Sequence, residues 1–266
     1  MTIDKRNSRQ GESAYLPWFY LAITLMCTAA WIGVTPETEW SSTWLRLSRW
    51  LPTIVAVAFV LYAGKEAIAS AISSLAVRKY QWVWLVASAA FFGVLALIAS
   101  FANFTLIHPE LSGSLSTVPL NVVTMAIAWS IGEELGWRGY ALPRLIGQVG
   151  PVWASLAIGI AWWLWHTPGW LLGFGAPTDI SYLAFGVWVV SASFVFTYFY
   201  MKSEGNVWTA VLLHAGANIS FGVVPIMPFN TGGPQAFYVL VTLSSISAAL
   251  VAILMRKSHS LAQTGQ

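Results

Sequence analysis

Residues 120–141 read LNVVTMAIAWSIGEELGWRGYA, and this stretch decides the class of fold. It is about as long as the roughly 20 residues that an α-helix needs to cross the hydrocarbon core of a bilayer. It is mostly apolar, but Glu133, Glu134 and Arg138 fall in its second half. Charged side chains at such a depth are costly, so they usually face the interior of a helix bundle and mark a functional site. The stretch therefore predicts a membrane-spanning helix that carries a buried polar site.

The composition of the whole chain also predicts a membrane protein. Of its 266 residues, 57% are hydrophobic and 9% are charged, whereas a soluble domain carries roughly a quarter charged residues. The net charge is only +3, and no Lys/Arg run resembles a nucleic-acid patch, so no nucleic-acid partner is expected. The single cysteine, Cys27, lies in an apolar run and is interpreted as a small core residue. The lipid bilayer is thus the expected surrounding of most of the chain.

Apolar segments of membrane-spanning length recur from one end of the chain to the other. We predict spans at 14–35, 50–72, 81–105, 119–141, 151–172, 180–201, 206–224 and 235–255, joined by short loops with Gly and Pro. In the second span Lys65 and Glu66 interrupt the pattern, which allows a shorter span followed by an amphipathic extension to Arg78. The prediction is an all-α, polytopic transmembrane bundle of about eight spans. It forms one integral membrane domain over residues 1–266.

The basic residues predict the orientation of the bundle. With eight spans, both termini lie on the same side, and most of the basic residues fall on or toward that side. These are Lys5, Arg6, Arg9, Lys65, Arg78, Lys79, Arg138, Arg144, Lys202, Arg256 and Lys257. Only Arg46 and Arg49 are expected on the opposite face. Because cytoplasmic loops carry an excess of Lys and Arg, the asymmetry predicts cytoplasmic termini, in what we expect to be a bacterial plasma membrane.

The three charged residues of 120–141 are spaced so that they form one pair and one single group. On an α-helix, Glu134 and Arg138 share a face and can form an ion pair. Glu133 is rotated by roughly 100° and projects toward a different neighbour. Two carboxylates with one arginine leave a net negative charge, which favours a metal ion or a cationic histidine nearby. The alternative is a helix-end cluster, in which Arg138 reaches the interface and both glutamates lie in water.

A histidine lies deep in the fifth predicted span. His166 belongs to AWWLWHTPGW, residues 161–170, where Pro168 follows it. The proline is expected to break the helix and free backbone carbonyls beside the ring. The alternative is a histidine that only packs in the core. The loop residue His108 and the tail residue His259 are interpreted as functionally silent.

The seventh predicted span carries a second histidine with an amide. In TAVLLHAGANIS, residues 209–220, His214 and Asn218 share one helix face. Gly216 lies between them and allows a partner helix or a substrate backbone to approach closely. A helix-packing hydrogen bond is the alternative. Together with a carboxylate, two imidazoles and an amide are the groups that activate water against a carbonyl and hold the resulting oxyanion.

These residues form three motifs that resemble those of the CPBP intramembrane proteases, which include CAAX prenyl endopeptidases and bacteriocin-processing relatives. The first motif is Glu-Glu-x-x-x-Arg, the second an aromatic residue followed four positions later by His, and the third His-x-x-x-Asn/Asp. The matching residues are, in that order, Glu133, Glu134 and Arg138; Trp162 and His166; His214 and Asn218. Trp162 stands where the family more often has Phe. The resemblance covers residues 119–222, the predicted protease core.

The resemblance implies an eight-helix bundle with a water-accessible, conical cavity, in which a peptide bond is hydrolysed near the cytoplasmic membrane surface. It implies that Glu133 and His166 activate water. It also implies that His214 and Asn218 hold the oxygen of the substrate carbonyl. The substrate is then a peptide or a membrane protein, whether prenylated or not.

The resemblance leaves two further points open. Glu134, paired with Arg138, would position the first carboxylate or contact the substrate. One glutamate and the two histidines could supply ligands for a divalent metal such as zinc. We favour the geometry without metal, because Asn218 is a poor zinc ligand and a good oxyanion donor.

Two other functions fit intramembrane Glu and His residues. A proton-coupled transporter uses such groups as a proton relay, although the first three spans hold few polar residues and no internal repeat is evident. A non-catalytic bacteriocin-immunity or scaffold protein would keep the same fold without turnover.

Overall fold

The structure is a computed structural model that describes residues 14–35, 41–108, 115–173 and 177–264, with side chains described as far as Lys257. Within these ranges every regular element is helical, which confirms the all-α prediction. The helices are α1 (Leu16–Gly33), α2 (Ser41–Leu47), α3 (Leu51–Ala63), α4 (Lys65–Ser73), α5 (Trp82–Ala102), α6 (Leu120–Glu134), α7 (Leu142–Trp165), α8 (Thr167–Leu171), α9 (Tyr182–Lys202), α10 (Trp208–Val223), α11 (Pro228–Thr231) and α12 (Gln235–Thr264).

Seven helical stretches of the described residues are long and apolar enough to cross a membrane. They are Leu16–Gly33, Ser41–Ala63, Lys79–Ile107, Leu120–Leu171, Tyr182–Lys202, Trp208–Thr231 and Gln235–Lys257. The fourth contains 52 residues, more than twice what one crossing needs. It bends at Gly150, whose backbone has φ 77° and ψ 167°, directly before Pro151. Sequence patterns placed the boundary between two spans there, so the structure agrees with a multi-pass bundle of about eight spans.

The second span differs from the predicted 50–72. Gly64 adopts φ 90°, a left-handed value that favours glycine, and α3 therefore ends at Ala63. The helix α4 follows as a separate element, in agreement with the interruption predicted at Lys65 and Glu66. At its other end the span is longer than predicted, because α2 and a 3₁₀ turn over Ser48–Trp50 lead into α3. This 3₁₀ turn contributes to the site described below.

The fourth span changes its helix type in the middle of the first motif. The chain is α-helical to Glu134 and π-helical over Leu135–Ala141, and it continues as α7 without a loop. We predicted an ordinary α-helix to residue 141. Gly136 lies inside the π segment and packs tightly, because any Cβ there would collide with the Pro52 carbonyl and the Tyr20 hydroxyl. Single π turns inside α-helices occur frequently at functional sites.

The three helices that carry the motifs pack in the centre of the bundle. The helix α6 packs against α3 and α10, α7 against α9, and α10 against α5. The contact between α10 and α5 is close at Gly216, where an added Cβ would lie 2.6 Å from the Ala89 carbonyl oxygen. The predicted close approach at Gly216 is therefore made by a partner helix. This packing brings residues far apart in sequence to one buried position.

Candidate active site

Glu134 is the centre of one cluster of buried polar side chains, which we call the Glu134 group: Glu134, Arg138 and His214. The two carboxylate oxygens of Glu134 accept hydrogen bonds from Arg138 Nη1 at 3.0 and 2.8 Å. His214 Nδ1 lies 2.8 Å from Glu134 Oε1. Glu134 and Arg138 are fully buried, and His214 is 5% exposed. The ion pair predicted from the spacing of Glu134 and Arg138 is therefore present, and it has a histidine as its third member.

Aromatic rings enclose the guanidinium of Arg138. Its Cζ lies 4.6 Å from the ring centroid of Trp162 and 4.4 Å from that of Phe196. The rings attract the cation through their quadrupoles. Within the described part of the chain, Arg138 Nε and Nη2 have no hydrogen-bond partner. The aromatic contacts and Glu134 thus provide most of what compensates this buried charge.

Glu133 is the centre of a second cluster, the Glu133 group: Glu133, Arg49 and Trp162. Arg49 Nη1 donates to Glu133 Oε1 at 3.3 Å. The indole Nε1 of Trp162 donates to Oε2 at 2.9 Å. Glu133 is fully buried and Trp162 is 2% exposed. The two neighbouring glutamates project toward different partners, as their rotation on the helix predicted.

Arg49 reaches Glu133 because the 3₁₀ turn and α6 approach each other closely. A Cβ added at Gly132 would lie 2.9 Å from the Arg49 carbonyl oxygen, so only glycine permits this distance without a shift. The preceding helix α2 is fixed to α1 by Trp31 and Trp44, whose rings stack at 4.0 Å. Each of these indoles also donates to the backbone carbonyl of the other. The turn that carries Arg49 is thereby held inside the bundle.

Two expectations about charge do not hold. Arg49 and Arg138 both lie beside the glutamates. The helix-end alternative fails, because Glu133, Glu134 and Arg138 are all fully buried. The site does not carry a net negative charge from two carboxylates and one arginine, since Arg49 supplies the second cation. Arg49 was missed because it directly precedes an apolar run and resembles an ordinary loop charge.

His166 occupies the break between α7 and α8. Its backbone N–H bonds to the Trp163 carbonyl, which leaves the Trp162 carbonyl without its usual helical donor. The ring Nδ1 of His166 lies 2.7 Å from that carbonyl oxygen, which assigns the hydrogen to Nδ1 and leaves Nε2 for other partners. The break predicted from Pro168 is therefore present. No hydrogen bond joins His166 to Glu133 in the described residues, although both lie next to Trp162.

A small cavity lies beside His166 and Arg49. Its volume is about 20 Å³, enough for one water molecule. Thr28, Ser48, Trp165 and Gly169 also line it. Trp165 Nε1 donates to Thr28 Oγ1 at 2.8 Å, which closes one side. Arg49 therefore borders both the Glu133 carboxylate and the space next to the His166 ring.

Asn218 is the candidate residue that the structure does not join to the rest. It is partly buried on α10, one turn after His214. Among the described residues its side chain makes no hydrogen bond, whereas His214 bonds to Glu134. The structure thus unites Glu133, Glu134, Arg138 and His214 at one position and leaves the Asn218 amide for other partners.

The candidate ligands do not fit a zinc ion. Among the described residues, no three His, Cys, Asp or Glu side chains converge as a metal site requires. His214 and His166 each have Nδ1 engaged, with Glu134 and with the Trp162 carbonyl, so only the Nε2 atom of each ring is left for a ligand. The cationic guanidinium of Arg49 lies 3.3 Å from Glu133, where a metal ion would meet charge repulsion. We derive no step through a metal.

Comparison with known proteins agrees with the motif resemblance. Residues 114–220 match the family described as Type II CAAX prenyl endopeptidase Rce1-like. The chain is also similar to CAAX prenyl protease 2 of Methanococcus maripaludis, with 27% identity over 115 residues. That alignment covers 40% of this chain and 42% of the relative, so less than half of either protein is compared. The matched segment 114–220 contains all three motifs, whereas Arg49 lies outside it.

Proposed function

We propose that the protein is an intramembrane endopeptidase related to the Rce1-like CAAX prenyl endopeptidases, whose family model residues 114–220 match. Its substrate would be a peptide or protein held at the membrane, with a prenylated chain end as one class. The observation that carries the proposal is the convergence of α6, α7 and α10 on the two glutamates. Buried carboxylates, imidazoles and a free amide are suited to hydrolysis by activated water.

Glu133 is the proposed general base. A carboxylate oxygen has two lone pairs, so Glu133 keeps acceptor capacity after the bonds to Arg49 and Trp162. A water molecule between Glu133 and the Nε2 atom of His166 would give one proton to the carboxylate and attack the carbonyl carbon of the substrate. The same proton would then pass to the leaving amine as the peptide bond breaks. Glu133 would thus end the cycle as a carboxylate.

His214 and Asn218 are the proposed partners of the substrate oxygen. Glu134 orients the His214 ring through Nδ1, and a ring that carries hydrogen on both nitrogens would donate its Nε2–H to the substrate oxygen. Asn218 lies on the same face of α10, and its amide N–H₂ donates to developing negative charge without a proton transfer. Arg138 holds Glu134 in place. In this assignment Glu134 and Arg138 shape the site, Glu133 activates the water, and His214 and Asn218 hold the substrate oxygen.

The orientation of the bundle is part of the proposal. The basic residues at the ends of spans, among them Arg78 and Lys202, support cytoplasmic termini by the excess of Lys and Arg on that side. Arg78 is exposed and pairs with Glu204 at 3.2 Å, so it behaves as an interfacial charge. Cleavage would then take place toward the cytoplasmic half of the membrane.

The experiment that tests the proposed function compares the membrane peptides of cells that produce wild type with those of cells that produce Glu133→Ala. Quantitative mass spectrometry should find new peptide ends that occur with wild type and are absent with the variant. A set of ends that does not depend on Glu133 would overturn the proposal. Proton-coupled uptake into vesicles that survives without any cleavage would instead favour a transporter.

A further inference from the structure

Among the described residues, Arg49 is the charged side chain that pairs with Glu133 from outside the matched segment. It belongs to the 3₁₀ turn Ser48–Trp50, far in sequence from residues 114–220. Its side chain is only 14% exposed. Its guanidinium also lies 4.8 Å from the ring centroid of Trp129. An arginine in such a place is held by specific contacts and does not act as a loop charge.

The contacts of Arg49 link the two groups that our proposed function assigns to water activation. On one side it donates to Glu133 Oε1 at 3.3 Å. On the other it lines the water-sized cavity next to His166. Because Trp162 holds Oε2, the carboxylate of Glu133 is fixed at both oxygens. Without Arg49, the carboxylate could rotate about its last bond and its negative charge would lose the ion pair with Arg49.

We infer that Arg49 is a positioning residue of the peptidase site, which holds the Glu133 carboxylate in the orientation that meets water at the His166 side. This inference rests on the proposed function. It assigns a role in the chemistry to the first half of the chain. A purely structural role for Arg49 would predict a less stable protein with an unchanged turnover number for the molecules that remain folded.

The test uses the full-length protein reconstituted in vesicles of phosphatidylethanolamine and phosphatidylglycerol. The probe is a fluorogenic peptide built on a sequence that wild type cleaves. The turnover number kcat and KM are measured for wild type, Arg49→Ala, Arg49→Gln and Arg49→Lys. Arg46→Ala is the matched control, because Arg46 is an exposed arginine of the neighbouring helix α2. Protein concentrations are corrected for the folded fraction.

We expect Arg49→Ala and Arg49→Gln to lower kcat by roughly 10- to 100-fold, the range for a lost hydrogen bond to a charged group. KM should change by less than about threefold, since Arg49 acts on Glu133 and not on the bound peptide. Arg49→Lys should recover part of the loss because it keeps the charge, and Arg46→Ala should equal wild type. If Arg49→Ala does not fold, the same comparison is made with Arg49→Gln and Arg49→Lys.

A double variant separates positioning from a second, independent effect. In the Glu133→Gln background, Arg49→Ala should cause little further loss, because the group that it orients is already absent. Wild-type kcat in Arg49→Ala and Arg49→Gln would overturn the inference, as would a change confined to KM. Full activity of Glu133→Gln would overturn the proposed function itself. An inactive Glu133→Gln with an unaffected Arg49→Ala would overturn only the role of Arg49.

Discussion

Glu133 and Glu134 are neighbours in sequence, yet they lie in different surroundings. Both carboxylate oxygens of Glu134 accept hydrogen bonds from the fully buried Arg138, and one of them also bonds to His214. All three members of the Glu134 group lie within the matched segment 114–220. Glu133 is bound by single donors from Trp162 and Arg49, and Arg49 comes from outside that segment and borders a cavity.

The difference between Glu133 and Glu134 shows that two adjacent glutamates can serve different purposes, one in the packing of the bundle and one in the chemistry. A carboxylate with several close donors and no access to a cavity is a stable anchor between helices, and it gains little from a further partner. A carboxylate that accepts from Trp162 and from an arginine that itself lines a water-sized cavity still has acceptor capacity for a further hydrogen bond. If the two groups differ in this way, variants of the Glu134 group should mainly lower stability, and variants of the Glu133 group should mainly lower activity.

The largest effect on stability should come from the Glu134 group. Arg138→Ala leaves the Glu134 carboxylate buried without its cation, so the free energy of unfolding should fall by about 3–5 kcal/mol. Thermal unfolding in detergent measures this loss in the free energy of unfolding. Arg46→Ala, on an exposed side chain, should change the same quantity by less than about 0.5 kcal/mol. A loss below about 1 kcal/mol for Arg138→Ala would show that the Glu134 group does not anchor the bundle.

A smaller effect, confined to the Glu133 group, should follow from Trp162→Phe. Phenylalanine keeps a ring over Arg138 but removes the N–H that bonds to Glu133, which is worth about 1.5–3 kcal/mol. We expect peptide cleavage to slow by roughly 10-fold or more while the fold persists. Trp163→Phe is the matched control, because the Trp163 indole N–H has no hydrogen-bond partner in the described residues. Equal activity of the two variants would contradict a role for the Trp162 N–H.

The smallest of these effects should follow from Gly132→Ala. Its methyl group would meet the Arg49 carbonyl oxygen at 2.9 Å and push the 3₁₀ turn away from α6. Overpacking of this kind costs about 1–3 kcal/mol. Cleavage should fall with it, because the contact between Arg49 and Glu133 lengthens. Gly222→Ala meets only an ordinary contact at 3.5 Å and should leave both quantities unchanged. A tolerated Gly132→Ala would show that the turn adapts without loss.

The sequence allowed the bundle and one half of the site to be predicted. Periodic apolar runs of membrane-spanning length gave the helices, and the spacing of Glu134 and Arg138 gave their ion pair. The rotation between adjacent helical residues gave the separate direction of Glu133. These features depend on local geometry, so a pattern in the chain is enough to find them.

The rest of the site depends on tertiary contacts that leave no local pattern. Arg49 is brought to Glu133 by the stacked Trp31 and Trp44 and by the missing side chain of Gly132. The π-helical segment Leu135–Ala141 packs closely against the start of α3 at Gly136, a contact that no local pattern predicts. A clue was present in the charge count, since two buried carboxylates with one arginine required a further cation.

The central claim, that Glu133 carries the chemistry and Glu134 the structure, is tested most directly by measuring the turnover and the thermal stability of Glu133→Gln and Glu134→Gln side by side. We predict that Glu133→Gln loses about 10²- to 10⁴-fold in kcat, the usual contribution of a general base, with the smaller loss of stability. Glu134→Gln should be the less stable protein. Turnover close to that of wild type in Glu133→Gln would contradict the claim.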